Sequence, residues 1–467
     1  MHTTDLIIIG AGPGGYRAAE LAAKSGLKVT IFEGAHLGGT CLNEGCIPTK
    51  SYAHNADLLL ALKESERYGL HDLQYQFDYA QVVARKEQVL TQLRSGIESL
   101  LAPPSITVVH AQARFVDAHT IVAVSPTAPE GAEEGAMHTA SHIIVATGSV
   151  PKTLRLDAPI GRRVLDSSDL LQLKTLPKSL CIIGAGVIGM EFASIFNAFG
   201  TQVTVVEFLK ECLPALDSDV AKRLRKALEK RGVTFCMQCG VKAIGPEGVT
   251  YEDKKGRQQT VQADEVLMAV GRKPRISDDF AKAGFDYDDR TGIKVDANMQ
   301  TTVPGIYAIG DVNGLAMLAH AAEAQARIAI AHITTEASPT DAKQHFACEE
   351  HSPHTTPAAI FTHPEAACVG TTEDLLKEQG IDYECRKAFH RANGKALAMD
   401  ETDGMLKLFS EPDAGRILGC HAYGAHSADL IQEVSVLMNR QTTVAQLRQM
   451  VHIHPTLSEI VLAAAET

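Results

Sequence analysis

No apolar stretch in these 467 residues approaches the roughly 18 consecutive residues that a bilayer-spanning helix requires, because glycines and charges interrupt every candidate. A membrane protein is not expected. The chain also lacks any run of Lys or Arg able to track a phosphate backbone, and 44 basic against 56 acidic residues leave a net charge of −12. Nucleic acid is therefore not an expected partner, and the acidity reads as solubility. The opening Met1-His2-Thr3-Thr4-Asp5 lacks the basic and apolar regions of a secretion signal or an Arg-rich transit segment, which predicts a cytoplasmic protein. Ten cysteines are too sparse for the framework of a small secreted domain, so a bridged pair would point to catalysis rather than structure. No metal is expected, since no paired Cys and His sets fall at zinc-site spacing.

What is present is ordinary globular composition, 45% hydrophobic and 21% charged, which leaves little room for long disorder. The length exceeds one hydrophobic core, so several domains are expected. One pattern is written twice. Leu6-Ile7-Ile8-Ile9 runs into Gly10-Ala11-Gly12-Pro13-Gly14-Gly15 and a helical stretch, and Leu180-Cys181-Ile182-Ile183 runs into Gly184-Ala185-Gly186-Val187-Ile188-Gly189 and another. Gly26 and Gly200 end the two helices at equal offsets, and the following strands close on Glu33 and Glu207, again at equal offsets. This is the dinucleotide fingerprint. Gly10 and Gly184 allow the turn, Gly12 and Gly186 let backbone approach a pyrophosphate, and Gly15 and Gly189 allow close helix packing. Each helix N-terminus offers unpaired N–H groups to phosphate, and each acid suits ribose hydroxyls. Two dinucleotides suggest a flavin and a nicotinamide. A carboxylate at Glu207 repels a 2′-phosphate and favours NAD over NADP, although Lys210 nearby softens that preference.

Directly after the first fingerprint comes Gly38-Gly39-Thr40-Cys41-Leu42-Asn43-Glu44-Gly45-Cys46-Ile47-Pro48-Thr49-Lys50. In a regular helix, residues five apart have Cα atoms about 9 Å apart, too far for a disulfide. Gly45 and Pro48 permit irregular backbone, so the segment can distort enough to bring Cys41 and Cys46 together. Two unpaired thiols remain the alternative, and the place beside a fingerprint favours redox chemistry. Cys236-Met237-Gln238-Cys239 reads instead as buried side chains on a strand. Near the C-terminus, His452-Ile453-His454 by itself fits a strand face that binds metal or simply meets solvent.

The Gly38 to Lys50 segment and the doubled fingerprint resemble the class I pyridine nucleotide-disulfide reductases over nearly the whole chain, and among them the branch that oxidises dihydrolipoamide. Further landmarks fall in that family's order: Ala146-Thr147-Gly148, Gly271-Arg272-Lys273-Pro274, Gly305 to Val312, Thr362-His363-Pro364-Glu365, and His454-Pro455-Thr456-Leu457-Ser458-Glu459. The resemblance implies an α/β fold of two Rossmann-like domains, binding FAD and NAD, with a C-terminal α+β dimerisation domain. It divides the chain into an FAD-binding domain (1–150), an NAD-binding domain (151–273), a central part returning to the FAD domain (274–345) and an interface domain (346–467). It implies a redox disulfide of Cys41 and Cys46, Lys50 close to the reactive flavin nitrogen, and Asp311 on the flavin's ribityl chain. Thr147, Gly148 and Gly271 join the cofactor-binding set. His454 is implied as the base, oriented by Glu459 and acting on the disulfide of the other subunit of a homodimer. Expected partners are the lipoyl domains of 2-oxo acid dehydrogenase acyltransferases or the glycine cleavage H protein.

The sequence departs from the family at three places. Glu44 puts a negative charge between the cysteines, which opposes thiolate formation unless it is solvated. Gly34 and Thr49 stand where lysine and serine are common. Between Asn55 and His110 the resemblance is thin, and only helices packing on the first domain are expected there. Glutathione and mercuric reductases are the nearest alternatives. Glu207 and the absence of a C-terminal cysteine pair count against them, and the intact catalytic set counts against a non-catalytic binding protein.

Overall fold

Strand β1 (His2–Ile9) begins the first sheet, and its apolar run is continuous because both faces are covered. Leu6 and Ile8 pack with Ala18, Ala19 and Ala22 of α1 (Pro13–Lys24) and with Ala326, Ala329 and Ile330. Ile7 and Ile9 join Phe115, Val145, Phe280 and Phe285 on the other side. β2 (Val29–Phe32) lies parallel to β1, with Leu6 beside Val29 and Ile9 beside Phe32. The computed structural model describes residues 1–125, 135–156, 160–246, 248–337 and 353–467, and the expected 345/346 boundary lies outside them.

The parallel strands run Ile106–Val109, β2, β1, Met137–Val145, and Ile306–Ala308 joins the last of these, also parallel. Thr120–Val124 and Gln112–Phe115 continue from Met137–Val145 as an antiparallel extension. The described residues form two compact units, and this sheet lies in the one built from Met1–Pro48, Val83–Lys152 and the stretch that starts at Arg272.

The other unit holds Thr49–Val82, Thr153–Gly271 and the C-terminal stretch. Its parallel sheet runs Thr234–Met237, Gln202–Glu207, Ser179–Ile183, Glu265–Met268, with the helix Val187–Phe199 following the third of these. A five-stranded sheet runs Ala358–Ile360, Ala366–Gly370, Ile417–Tyr423, Met405–Ser410, Glu384–Phe389. Its neighbours are all antiparallel. Leu406 and Leu408 from it share a core with Leu430, Ile431, Ile460 and Val461 of the last helices. The architecture is the expected one: two Rossmann-like α/β sheets and a C-terminal α+β part. The helices after residue 50 divide differently from expectation. Ile97 enters the first unit's core, but Tyr52 and Tyr79 pack edge-on against Phe199 in the second, where aromatic rings find partners.

A buried ion cluster stabilises the second unit. Lys407, whose side chain is 1% exposed, holds Asp217 Oδ1 at 2.7 Å and Glu373 Oε2 at 2.8 Å. The Asp217 N–H donates to His421 Nδ1 at 3.1 Å, so the proton of that ring sits on Nε2, 3.0 Å from the Thr371 carbonyl. His421 is accordingly neutral, and burial lowers its pKa to about 4. Burial alone would raise Glu373 from its ordinary 4.5, but hydrogen bonds from Lys407, Lys377 and Tyr383 outweigh it and hold the carboxyl at about 2. A depressed carboxyl stabilises the fold above its ordinary value, and that contribution disappears as pH falls from 4.5 towards 2. Glu373→Gln should lower stability at neutral pH by about 1–3 kcal/mol and flatten the acid limb of the urea midpoint against pH. Parallel curves for variant and parent would contradict this.

Candidate active site

The two fingerprints repeat one set of hydrogen bonds. Ala11 N–H donates to Glu33 Oε2 at 2.9 Å and Ala35 N–H to its Oε1 at 2.8 Å; Ala185 N–H donates to Glu207 Oε2 at 2.6 Å and Leu209 N–H to its Oε1 at 2.7 Å. Each acid thus ties its strand end to its own glycine turn and keeps lone pairs for ribose hydroxyls. Gly10 and Gly184 have φ of 103° and 106°, the left-handed region that a side chain rarely adopts. A Cβ on Gly15 would collide with the Gly10 carbonyl, and one on Gly189 with that of Gly184. Gly12 and Gly186 cap their helices in extended conformation without side-chain caps. A Cβ would meet nothing closer than 3.9 Å at Gly12 and nothing within 4 Å at Gly186. Open space before uncapped amides fits a pyrophosphate at both turns.

The cysteine segment is fastened to the first of these turns. Gly38 N–H donates to the Ala11 carbonyl at 2.8 Å, and a Cβ on Gly39 would stand 2.7 Å from Gly12 Cα. Helix α2 (Gly39–Glu44) carries Cys41, and α3 (Cys46–Lys63) begins at Cys46. Between them Gly45 breaks the helix at φ −141°, ψ −106°, where a Cβ would stand 3.0 Å from the Thr40 carbonyl oxygen. Both cysteines are half-buried. Asn43 pins this turn, donating from Nδ2 to the Leu37 and Gly39 carbonyls at 3.0 and 2.9 Å and accepting from Arg94 Nε at 2.6 Å. Burial, then Glu323 and Cys41, push the Tyr16 hydroxyl up to about 12. Glu44 is exposed, the condition under which its charge is screened from the sulfurs.

Asp311 lies in the same unit. Its Oδ2 accepts from Ser149 Oγ at 2.5 Å, and Arg272 Nε donates to that hydroxyl at 2.7 Å. Burial raises the Asp311 pKa against the opposing pull of Ser149 and Arg272. Thr147 Oγ1 donates to the Arg275 carbonyl at 3.2 Å, Gly148 has φ 76° with nothing within 4 Å of its Cβ position, and Gly271 has φ 103°.

In the second unit, Lys50 Nζ holds both carboxylate oxygens of Glu191 at 3.0 and 3.1 Å and sits 4.5 Å from the Phe361 ring centroid. Glu191 is 5% exposed and also accepts the Phe361 N–H at 2.9 Å. The two C-terminal histidines do not lie on a strand, as the His-x-His pattern by itself would allow. Residues 451–456 form an irregular loop, where Pro455 has no N–H for a sheet ladder. His452 Nε2 turns inward to Glu433 at 2.8 Å. His454 is 79% exposed, with Nδ1 2.9 Å from Glu459 Oε1. Glu459 also accepts the Thr456 N–H at 2.8 Å, and these two bonds lower its pKa, the backbone one more.

The family model described as pyridine nucleotide-disulphide oxidoreductase matches residues 4–326, and the model of that family's dimerisation domain matches residues 356–465. The chain belongs to the pyridine nucleotide-disulphide oxidoreductase family. It is similar to a dihydrolipoyl dehydrogenase of Bacillus subtilis, 36% identical over 99% of this chain and 96% of that protein. In structure it is similar to LpdA from Mycobacterium tuberculosis, with TM-score 0.87 and 27% identity over 100% of this chain and 99% of that one. The HOCl-induced flavoprotein disulfide reductase RclA of Escherichia coli, as its Cu(II) complex, gives TM-score 0.84 and 29% identity at the same coverage. Among the described residues no group of three or more His, Cys, Asp or Glu is placed to hold a metal, and no helix is long and apolar enough to cross a membrane.

Sequence reasoning on this oxidoreductase missed Glu191, Ser149, Asn43's anchoring bonds and Arg94. Glu191 lies within the second fingerprint helix, where a buried acid among Met190, Phe192 and Ala193 is the available signal. Gly15→Ala and Gly189→Ala should each destabilise the protein by about 1–3 kcal/mol through the backbone clash, read as a lower urea midpoint. Variants as stable as the parent would show that these turns are looser than described.

Proposed function

We propose that this chain is an FAD-dependent dihydrolipoyl dehydrogenase, which oxidises protein-bound dihydrolipoamide to lipoamide and reduces NAD to NADH. The observation that carries the reading is the cysteine pair, placed on either side of a helix break and fastened through Gly38 and Gly39 to a dinucleotide-binding turn. A reversible disulfide there would be held against the cofactor that the turn receives. The matched relatives named dihydrolipoyl dehydrogenase support the substrate, and the ribose acid Glu207 supports NAD over NADP.

In this reading, His454 of the partner subunit accepts a proton from one dihydrolipoamide thiol. Glu459 on its Nδ1 keeps Nε2 as the accepting nitrogen. The resulting thiolate attacks Cys41 Sγ, breaking the Cys41–Cys46 bond and releasing Cys46 as thiolate. The second substrate thiol then displaces Cys41, closing the lipoamide disulfide and leaving the enzyme's pair reduced. FAD, held through Glu33 and Asp311, would supply the two-electron redox chemistry that couples the dithiol to NAD. Lys50, one helical turn beyond Cys46 and anchored by Glu191, sets a fixed positive charge in this region. Glu33 and Asp311 would hold the flavin's two ends, and Glu207 the nicotinamide dinucleotide's ribose.

The same reading assigns residues 1–150 and 274–345 to FAD, 151–273 to NAD and 346–467 to the interface of a homodimer. The exposure of Val451 (98%), Ile453 (77%) and His454 supports an interface there. The loop would work across the dimer. A cytoplasmic location fits a dithiol enzyme whose partners carry lipoyl-lysine arms, on 2-oxo acid dehydrogenase acyltransferases or the glycine cleavage H protein.

Cys46→Ser should abolish dihydrolipoamide-dependent NADH formation while the protein stays yellow; normal turnover would end the assignment. His454→Gln should cut turnover by about 10²–10⁴-fold, the range for a lost general base, with the flavin spectrum unchanged. An unaltered rate would remove His454 from the mechanism.

A further inference from the structure

The Cys236-Met237-Gln238-Cys239 segment, expected to be no more than buried strand residues, is connected to the second dinucleotide site. Strand Thr234–Met237 ends one residue beyond Cys236, and Gln238 turns the chain with φ 58°. Within that turn, Gln238 N–H donates to the Leu209 carbonyl at 3.1 Å and Cys239 N–H to the Glu207 carbonyl at 2.8 Å. Met237 is paired directly with Glu207 across the sheet. The backbone that carries the ribose acid is therefore held by the backbone between the two cysteines.

The thiols lie in one neighbourhood. Cys236 Sγ donates to the Tyr251 hydroxyl at 3.3 Å, and that hydroxyl donates onward to Gln259 at 2.9 Å. Cys239 Sγ donates to the Met237 carbonyl at 3.4 Å. Burial, with Cys236 as the next contributor, pushes the Cys239 thiol up. Cys236 is half-buried and Cys239 is 5% exposed, so an oxidant meets Cys236 first. A reversal over four residues brings its end Cα atoms within about 7 Å, near the roughly 4.4–6.8 Å that a disulfide spans.

We propose that Cys236 and Cys239 form a second, reversible disulfide under hydroperoxide, and that closing it weakens NAD binding by displacing the Glu207 segment. The chemistry balances in two steps. The Cys236 thiolate attacks the peroxide and, with one proton taken up, gives Cys236 sulfenic acid and an alcohol, or water from hydrogen peroxide. Cys239 then displaces the hydroxyl, forming the S–S bond and releasing water. Two thiols have lost one electron each, and the O–O bond has gained both. Closing the bond removes the Sγ contacts to Tyr251 and Met237 and resets the turn that fastens Glu207 and Leu209. The effect on NAD rests on the reading of Glu207 as the nicotinamide site's ribose acid.

The test uses the holoenzyme, whose Cys41 and Cys46 rest as a disulfide on the proposed mechanism and so do not consume the oxidant. After brief hydroperoxide treatment and removal of excess, thiols are alkylated and the tryptic fragment bounded by Arg231 and Lys242 is weighed. The expected result is an unalkylated fragment lighter by two hydrogens. With it should come a dissociation constant for NAD raised about tenfold, the worth of one charge-assisted hydrogen bond, titrated in dithiol-free buffer because dihydrolipoamide would itself reduce the bridge. Dithiothreitol should reverse both. Cys236→Ser, which keeps a donor for Tyr251, should show neither change, and Cys239→Ser serves as a second control. Two alkylated thiols in that fragment, a bridge to Cys181 instead, or a closed bridge with unaltered affinity for NAD would each overturn the proposal. Untreated enzyme that ignores NAD would refute the functional reading instead, and the fragment mass would still decide the bridge.

Discussion

Everything proposed for this chain depends on one contact between backbones, Gly39 against Gly12. A Cβ on Gly39 would stand 2.7 Å from Gly12 Cα, so the cysteine helix can begin there only because Gly39 has no side chain in the way. The same turn offers uncapped amides to a dinucleotide phosphate. Sulfur chemistry and cofactor binding are thereby joined by a few residues of rigid backbone, and no long flexible side chain intervenes. Asn43 and Arg94 hold the far side of the helix, which fixes where Cys41 points from.

The second fingerprint repeats the first down to which amide meets which carboxylate oxygen, although the two sites are proposed to hold different cofactors. In the first unit the turn is closed by the cysteine segment. In the second, Leu213 N–H donates to the Ala185 carbonyl at 3.0 Å in the matching place, and the segment after Glu207 opens with exposed Phe208 and Leu209.

Much of this was legible in the sequence because it is local. Each glycine turn lies 23 residues before its acid (33 − 10 = 207 − 184 = 23), the break at Gly45 comes 12 residues after Glu33 (45 − 33 = 12), and each follows from what a missing Cβ or a short strand permits. The His454–Glu459 bond, implied by the family resemblance, joins a loop residue to the first residue of the last helix five positions on. The strand that His452-Ile453-His454 by itself would fit does not form, and Pro455 has no N–H to give a ladder. What stayed hidden was long-range. Lys50 finds Glu191 across 141 positions, Arg94 finds Asn43 across 51, and Lys407 finds Asp217 across 190. No periodicity encodes such pairs; they arise only when folding strips water from charges that must then meet.

The most direct measurement is an anaerobic titration of the purified protein with dihydrolipoamide, followed by addition of NAD. The account predicts a long-wavelength absorption band from a thiolate lying against oxidised flavin, then one NADH per subunit. A flavin spectrum that does not respond to the dithiol, or NADH formed without the band and without loss of the Cys41–Cys46 disulfide, would contradict it.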